Sequence, residues 1–230
     1  MYIVEGNIGA GKTTFLNLIK KELEQLTVVL EPIHSWTDQS YGQSLLANFY
    51  HNPKRWAYTL ETLAMMYRTR DHLEHQKKTN QTIIMERSVY SGHYCFAYNS
   101  YTSGFLNDIE WQIYKRWFDF LINRKCRKPY GFIYLQLSPE ISYQRIQKRN
   151  RKEEKELSLE YLQHIHTRHQ EFLIQKKNVS KELKDVPVLI INCDKDFEKD
   201  KNQMQKHFDA LNLFLAQTQV FAHKEQQPQL

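Results

Sequence analysis

Residues 1–14 read MYIVEGNIGAGKTT. Tyr2-Ile3-Val4 is short, apolar and β-branched, the composition of a strand. Gly6-Asn7-Ile8-Gly9-Ala10-Gly11-Lys12-Thr13 then satisfies G-x-x-x-x-G-K-S/T, and Thr14 follows. Thr14–Leu26 places Phe15, Leu18, Ile19, Leu23 and Leu26 at helical spacing. Strand, glycine-rich loop and helix is the context in which this pattern builds a phosphate loop. Glycines let backbone N–H groups turn inward around a polyphosphate, and the helix N-terminus adds partial positive charge. All nine residues Gly6 to Thr14 are therefore expected around the phosphates of a nucleoside triphosphate, with Lys12 at the terminal ones. The Thr13 hydroxyl is expected to ligate Mg²⁺.

Outward from this loop the chain alternates. Thr27–Leu30 is β-rich and stops at Glu31-Pro32; Thr82–Met85 is β-rich and stops at Glu86-Arg87-Ser88. Tyr130–Leu137 and Pro187–Ile191 complete five strands. Helical spacing is read over Leu45–His51, Arg55–Lys77, Val89–Tyr98, Asp108–Leu121, Glu140–Arg149, Leu159–Leu173 with Ser158 as its cap, and Glu198–Ala216. The expected fold is α/β: a five-stranded parallel sheet with helices on both faces. Trp111, Tyr114, Trp117, Phe118 and Leu121 form a broad apolar face, a core or a subunit interface.

Length and composition set limits. The chain has 230 residues, 41% of them hydrophobic, enough for one domain with a sizeable core, taken as residues 1–215. Residues 216–230 are expected to be a polar, disordered tail. The formal charge of +6 suits an anionic partner but equally a solvated basic surface. Three cysteines without C-x-x-C spacing read as reduced thiols, no apolar run reaches membrane length, and the first strand starts at residue 2. These point to a cytoplasmic protein without a membrane partner. His164, His166 and His169 cluster, but H-x-H on a helix splays its rings, so they read as surface or pocket-edge residues, not metal ligands.

In open parallel sheets, ligands bind beyond the carboxyl ends of strands. The phosphate loop, Glu31 and Glu86-Arg87 therefore share one crevice. A carboxylate there can take a proton from an attacking hydroxyl, an arginine can stabilise a transferring phosphoryl group, and a second carboxylate can support Mg²⁺. This is the equipment of a small-molecule kinase. Arg145, Lys148, Arg149, Arg151 and Lys152 form a basic run without an acid, read as a lid over the phosphates. A nucleic-acid patch is disfavoured because Glu153, Glu154 and Glu156 follow at once.

Several runs together resemble the deoxyribonucleoside kinases: EGNIGAGKTT (5–14), EPIHSW (31–36), NPKRWAYTLET (52–62), ERSVYSGHYCFA (86–97), EWQIYKRWFDFL (110–121), IYLQLSPEISYQRIQKRNRKEE (133–154), LEYLQHIHTRHQEFL (159–173) and NCDKDF (192–197). They cover nearly the whole chain to about Leu215. The resemblance implies a phosphate-loop kinase fold and transfer of the ATP γ-phosphate to the 5′-hydroxyl of a deoxynucleoside. It implies that Glu31 is the general base, Arg87 sits beside it and Glu86 helps the metal. It implies that Tyr50 and Glu154 hold the sugar 3′-hydroxyl, and that Arg145, Arg149 and Arg151 form the lid. Asp196 and Phe197 match a loop at the donor base; Trp36, Tyr90 and Phe96 match the sugar and base pocket. A homodimer through the long helices near Leu45–Lys77 and Asp108–Leu121 is also implied.

One position departs from the family pattern. Where a glutamine reads the acceptor base, this chain has Glu61, with Arg68 two helical turns on and Gly92 at a position where other members carry aspartate or a small residue. Glutamine both donates and accepts, whereas ionised glutamate only accepts. Guanine would present N1–H and N2–H to Glu61, and thymine N3–H, with O6 or O4 toward Arg68 and Gly92 leaving room for the thymine methyl. Adenine and cytosine place an unprotonated nitrogen there and suit only a protonated Glu61. A structural Glu61–Arg68 salt bridge is the plain alternative. Two rival activities stand beside the main one. A thymidylate-type monophosphate kinase would need further cations for its acceptor, and a nucleic-acid-dependent ATPase would need further motifs.

Overall fold

The computed structural model describes residues 1–38, 44–78 and 80–225. Five strands, β1 (Tyr2–Gly6), β2 (Leu26–Val29), β3 (Thr82–Glu86), β4 (Gly131–Gln136) and β5 (Val188–Asn192), form one all-parallel sheet in the order β2-β3-β1-β4-β5. The helices are α1 (Lys12–Glu22), α2 (His34–Thr37), α3 (Leu45–His51), α4 (Pro53–His75), α5 (Val89–Ser91), α6 (Tyr98–Thr102), α7 (Asp108–Arg124), α8 (Pro139–Arg149), α9 (Leu159–His169), α10 (Lys181–Lys184) and α11 (Lys201–Glu225). A π-helical turn, Gly92–Ala97, joins α5 to α6, and another, Gln170–Ile174, extends α9. The expected α/β architecture is thus the observed one.

The inner strands β1, β3 and β4 are apolar because both faces are covered. Successive residues of β1 and β4 point into opposite cores. Ile3, Phe132 and Tyr134 pack with α4 and α7 residues, while Tyr2, Val4, Ile133 and Leu135 pack with α1 and α11 residues. Helix starts follow local chemistry. Asn52 accepts from Arg55 N ahead of Pro53, Asn107 and Glu110 form a capping box, and Ser158 accepts from Tyr161 N as expected. On α7, Trp111, Tyr114 and Phe118 are buried but Trp117 is 55% exposed. The broad aromatic face is therefore two faces, one of them at the surface.

The last helix overturns a boundary. It runs past its expected end at Ala216 to Glu225, and residues 226–230 of the expected tail lie outside the described residues. Thr218 explains the continuation, since its hydroxyl lies 2.6 Å from the Tyr2 hydroxyl and bonds back to Phe214 O, fastening the helix to β1. No proline or glycine interrupts the run before Pro228. Among the described residues no helix is long and apolar enough to cross a membrane.

From the central strand β1 the neighbours are β3 on one side and β4 on the other. The crevice beyond its carboxyl end is the point where strand order reverses, which is where open α/β sheets bind ligands.

Candidate active site

The phosphate loop leaves β1 at Gly6, whose φ of 151° and the Leu135 carbonyl oxygen, 2.6 Å from where a Cβ would stand, admit only glycine. Gly11 (φ 85°) caps α1, and no acidic residue sits in that helix's first turn, so its N-terminus is free for an anion. Two ties hold the loop: Ser142 Oγ donates to Ile8 O, and Asn7 Nδ2 donates to Leu162 O at 2.9 Å. Lys12 is buried and donates to Gly6 O and Asn7 O at 3.2 and 2.9 Å. Burial, then the Arg87 charge, lowers its ammonium to about 7. Bound phosphate would restore the cation.

Glu31 and Glu86-Arg87 converge as expected. Glu31 Oε1 lies 2.5 Å from Arg68 Nη2 and 3.0 Å from Arg68 Nε, and its Oε2 lies 3.3 Å from Arg87 Nε. Burial opposes its charge, but Arg68 and Arg87 outweigh it and hold Glu31 below the usual carboxylate range. Arg87 stands at φ 62°, an uncommon conformation for a residue with a side chain, and its amide donates to Val4 O at 2.9 Å. Its guanidinium lies 4.6 Å from the Phe96 ring centre, and its Nη1 is buried without a hydrogen-bond partner among the described residues. The Thr13 hydroxyl donates to Glu86 Oε1 at 2.8 Å. A hydroxyl beside a carboxylate at a phosphate-binding helix is an oxygen set that suits Mg²⁺.

These residues line a cleft of about 170 Å³ with Ile8, Gly9, Gly11, Thr14, Trp36, Tyr50, Glu61, Phe96, Arg149, Arg151 and Glu154. Gly6, Asn7 and Ala10 lie behind its wall, shaping the loop. Arg149 and Arg151 pair with the buried Glu154 at 2.6 and 3.4 Å, closing one side. The expected lid loses one member. Arg145 does not line the cleft but donates to Cys193 O and Lys195 O at 2.8 and 3.3 Å, joining α8 to the turn after β5. Phe197 is core: its ring meets Phe15 at 6.1 Å and lies 3.1 Å from where a Cβ on Gly11 would stand. Asp196 stays exposed beside it and accepts from Glu198 N.

The other end of the cleft corrects two expectations. Glu61 is 4% exposed and accepts one hydrogen bond, from Ser100 Oγ at 3.2 Å. Its salt bridge to Arg68 is not formed, because Arg68 is committed to Glu31. Burial raises Glu61 to about 7 against the opposing pull of Arg68, Ser100 and Arg87. Gly92 lies outside the cleft lining. Arg68 Nη1 would stand 2.9 Å from a Cβ there, so the smallness of Gly92 accommodates Arg68. Tyr90 is also withdrawn, packed on Phe132 and His72 with its hydroxyl toward Arg127 O. His169, expected at the surface or pocket edge, is fully buried, its ring parallel to that of Tyr134. Among the described residues no group of acids, cysteines and histidines forms a metal cluster.

Sequence reasoning missed several neighbours. Tyr161 lines the cleft and meets Tyr50 edge-on at 6.1 Å. It follows the Ser158 cap on a helix read only for its core stripe. Ser100 carried no signal at all. Glu5, inside the quoted run EGNIG, is fully buried, with Ser88 Oγ 2.5 Å from Oε1 and no partner for Oε2. A charge in the middle of an otherwise apolar strand was the readable sign.

A parallel sheet ending in a phosphate loop, with a buried carboxylate between two arginines across the crevice, defines a phosphoryl-transfer protein of the phosphate-loop class. The family model for deoxynucleoside kinases matches residues 2–216, and the chain belongs to that family. It is 36% identical to deoxycytidine kinase 2 of Gallus gallus over 92% of this chain and 89% of that one. It is 38% identical to mitochondrial deoxyguanosine kinase of Xenopus laevis over 86% of this chain and 82% of that one. Against human deoxycytidine kinase the identity is 36%, with 86% and 85% covered. The protein is a nucleoside-phosphorylating enzyme of nucleotide salvage.

Proposed function

We propose that this enzyme transfers the γ-phosphoryl group of ATP to the 5′-hydroxyl of a deoxyribonucleoside, with Glu31 as general base. The observation that carries the reading is Glu31 itself, a buried carboxylate kept ionised by Arg68 and Arg87 across the crevice from Lys12. The 5′-hydroxyl gives its proton to Glu31, its oxygen bonds to the γ-phosphorus, and the bridging oxygen leaves on ADP. Arg87 lines the cleft beside Glu31, where its guanidinium would stabilise the charge that develops. The loop residues Gly9 to Thr14, Arg149 and Arg151 hold the phosphates, while Arg145, Asp196 and Phe197 shape the donor side. Thr13 and Glu86 would hold Mg²⁺, which supplies charge neutralisation on the phosphates.

The nucleoside lies between Glu31 and Glu61. Tyr50 and Glu154 hold the sugar; Trp36, Phe96 and Tyr161 flank the base. The base is read by Glu61 and by Arg68, both of which line the cleft. Ionised Glu61 favours guanine and thymine. The relatives are named for deoxycytidine and deoxyguanosine, so both ring sizes occur among them.

Purified protein with Mg-ATP and dC, dT, dG or dA tests this. We expect 5′-monophosphate and ADP in equal amounts, and a collapse in Glu31→Gln. Phosphorylation of nucleoside monophosphates instead, or ATP hydrolysis only with DNA, overturns the reading. We also propose a homodimer through α4 and α7, which leave Met66, Ile109, Ile113, Trp117 and Phe120 exposed. Light scattering should give twice the chain mass, reduced to one by Trp117→Glu. A cytoplasmic location belongs to the same proposal, and fractionation of expressing cells tests it.

A further inference from the structure

The carboxyl of Glu61 is unusual in its company. It sits on α4, and among the described residues one hydroxyl donates to it and no cation lies within hydrogen-bonding distance. The groups that face it are known from every side. Arg68 on its own helix is turned to Glu31, and Arg87 at the end of β3 is turned to the same acid. Tyr50 on α3, Tyr114 on α7 and Tyr161 on α9 feel its charge, and burial together with that charge keeps all three phenols neutral. Ser100 on α6 completes the shell. Burial weighs against ionisation of this carboxyl, while the charge of Arg68, the Ser100 hydroxyl and the charge of Arg87 weigh for it.

From this arrangement we infer that Glu61 reads the acceptor base in two protonation states, so that one pocket serves two complementary classes of nucleoside. The inference rests on the kinase reading above. As a carboxylate, Glu61 accepts from a ring N–H, which guanine and thymine present. As a carboxylic acid it donates to a bare ring nitrogen, which cytosine and adenine present. A wrong match leaves two acceptors facing each other in a buried site, a costly arrangement. The group's position near neutrality makes both forms accessible. None of the four bases changes charge near neutral pH, so the choice rests with the protein.

The test is the ratio of kcat/KM for dC to that for dG, measured with the wild-type enzyme between about pH 6 and about pH 8. Taking a ratio cancels every titration that acts on both substrates alike, including that of Lys12, which also lies near 7. If each base binds one form only, the ratio falls about tenfold per pH unit, on the order of a hundredfold over the window. The ratio of dA to dT should move the same way. In Glu61→Gln, which has no proton to lose, both ratios should be flat. Calorimetry in buffers of different ionisation heat gives an independent readout: proton uptake on binding dC and proton release on binding dG near pH 7. A wild-type ratio that changes less than about twofold, with nucleosides still phosphorylated, overturns this inference and leaves the kinase reading standing. Absence of phosphorylation of all four nucleosides at every pH overturns both.

Discussion

Glu31 and Glu61 are both buried, both line the same cleft, and behave in opposite ways. Glu31 has two guanidinium groups against its two oxygens and stays ionised. Glu61 has one hydroxyl and is drawn toward its neutral form. Burial works against charge at both, so partners decide the outcome. One guanidinium accounts for much of the contrast: Arg68 reaches Glu31 and leaves Glu61 unpaired. In the proposed mechanism, the end of the cleft that would move a proton is electrostatically fixed, and the end that would read the base is left adjustable.

Neutralising each acid in turn is the strongest way to break this contrast. Glu31→Gln removes the proposed base and should lower kcat by roughly 10²–10⁴ with little change in KM, the range for a lost general base. Glu61→Gln should leave kcat on the best substrate within about threefold, because in the proposed reading it meets the nucleobase and not the reacting oxygen, and should reorder KM among nucleosides. Single-substrate kinetics on the two variants separate these outcomes. Equal losses of kcat in both would mean that the two carboxyls form one catalytic unit.

Stability should show the same opposition with pH. Glu31 ionises more readily in the folded protein, so its contribution is present at neutral pH and is lost as pH falls through its depressed folded value. Glu31→Gln strands two buried guanidiniums and should cost about 3–5 kcal/mol at neutral pH, less in acid. Glu61 has a folded value raised to about 7. As pH rises from the ordinary carboxylate range to 7, the unfolded chain releases a proton that the folded one keeps, so stability falls across that window. Glu61→Gln escapes this loss and should be more stable than wild type at about pH 8, by roughly 3 kcal/mol, and equal to it near pH 4. Urea unfolding of the three proteins across pH reads both signs. A destabilised Glu61→Gln at alkaline pH would place Glu61 with Glu31 as a satisfied ion.

How much of this was legible beforehand follows the same division. The phosphate loop is a local spacing, and the strands are apolar runs with clear stops, so five strands and the loop could be read directly. Glu31 and Glu86-Arg87 were legible too, because parallel strands bring their carboxyl ends to one edge. Periodicity gives the face of a helix, not the reach of a long side chain. Arg145 and Arg149 share a face, yet one is captured by carbonyls beyond β5 and the other enters the cleft. Arg68 and Glu61 sit two turns apart, and nothing local says that Arg68 crosses to an acid 37 residues away. His169 was readable: it continues the stripe of Leu162 and Ile165 into the core. Ser100 was not, since a hydroxyl gives no pattern.

Ser100 allows the finest adjustment of the contrast. Its hydroxyl donates to Glu61 Oε1 at 3.2 Å, a bond that favours the ionised form. Ser100→Ala removes that donor without adding charge or bulk and leaves the groups around Glu31 untouched. A single hydrogen bond of this kind is worth about 0.5–1.5 kcal/mol, or up to about one pH unit in the titration of Glu61. The pH at which dC and dG are used equally should therefore move upward by up to about one unit. At a fixed pH near 7 the ratio of dC to dG should rise by about threefold to tenfold. The acid limb of kcat, which on the proposed mechanism would report Glu31, should stay where it is. If that limb moves with the ratio, the two carboxyls titrate together through Arg68, and the cleft has one electrostatic centre instead of two. If neither moves, the ionisation of Glu61 is governed by burial alone, and Ser100 serves only to fill the space beside it.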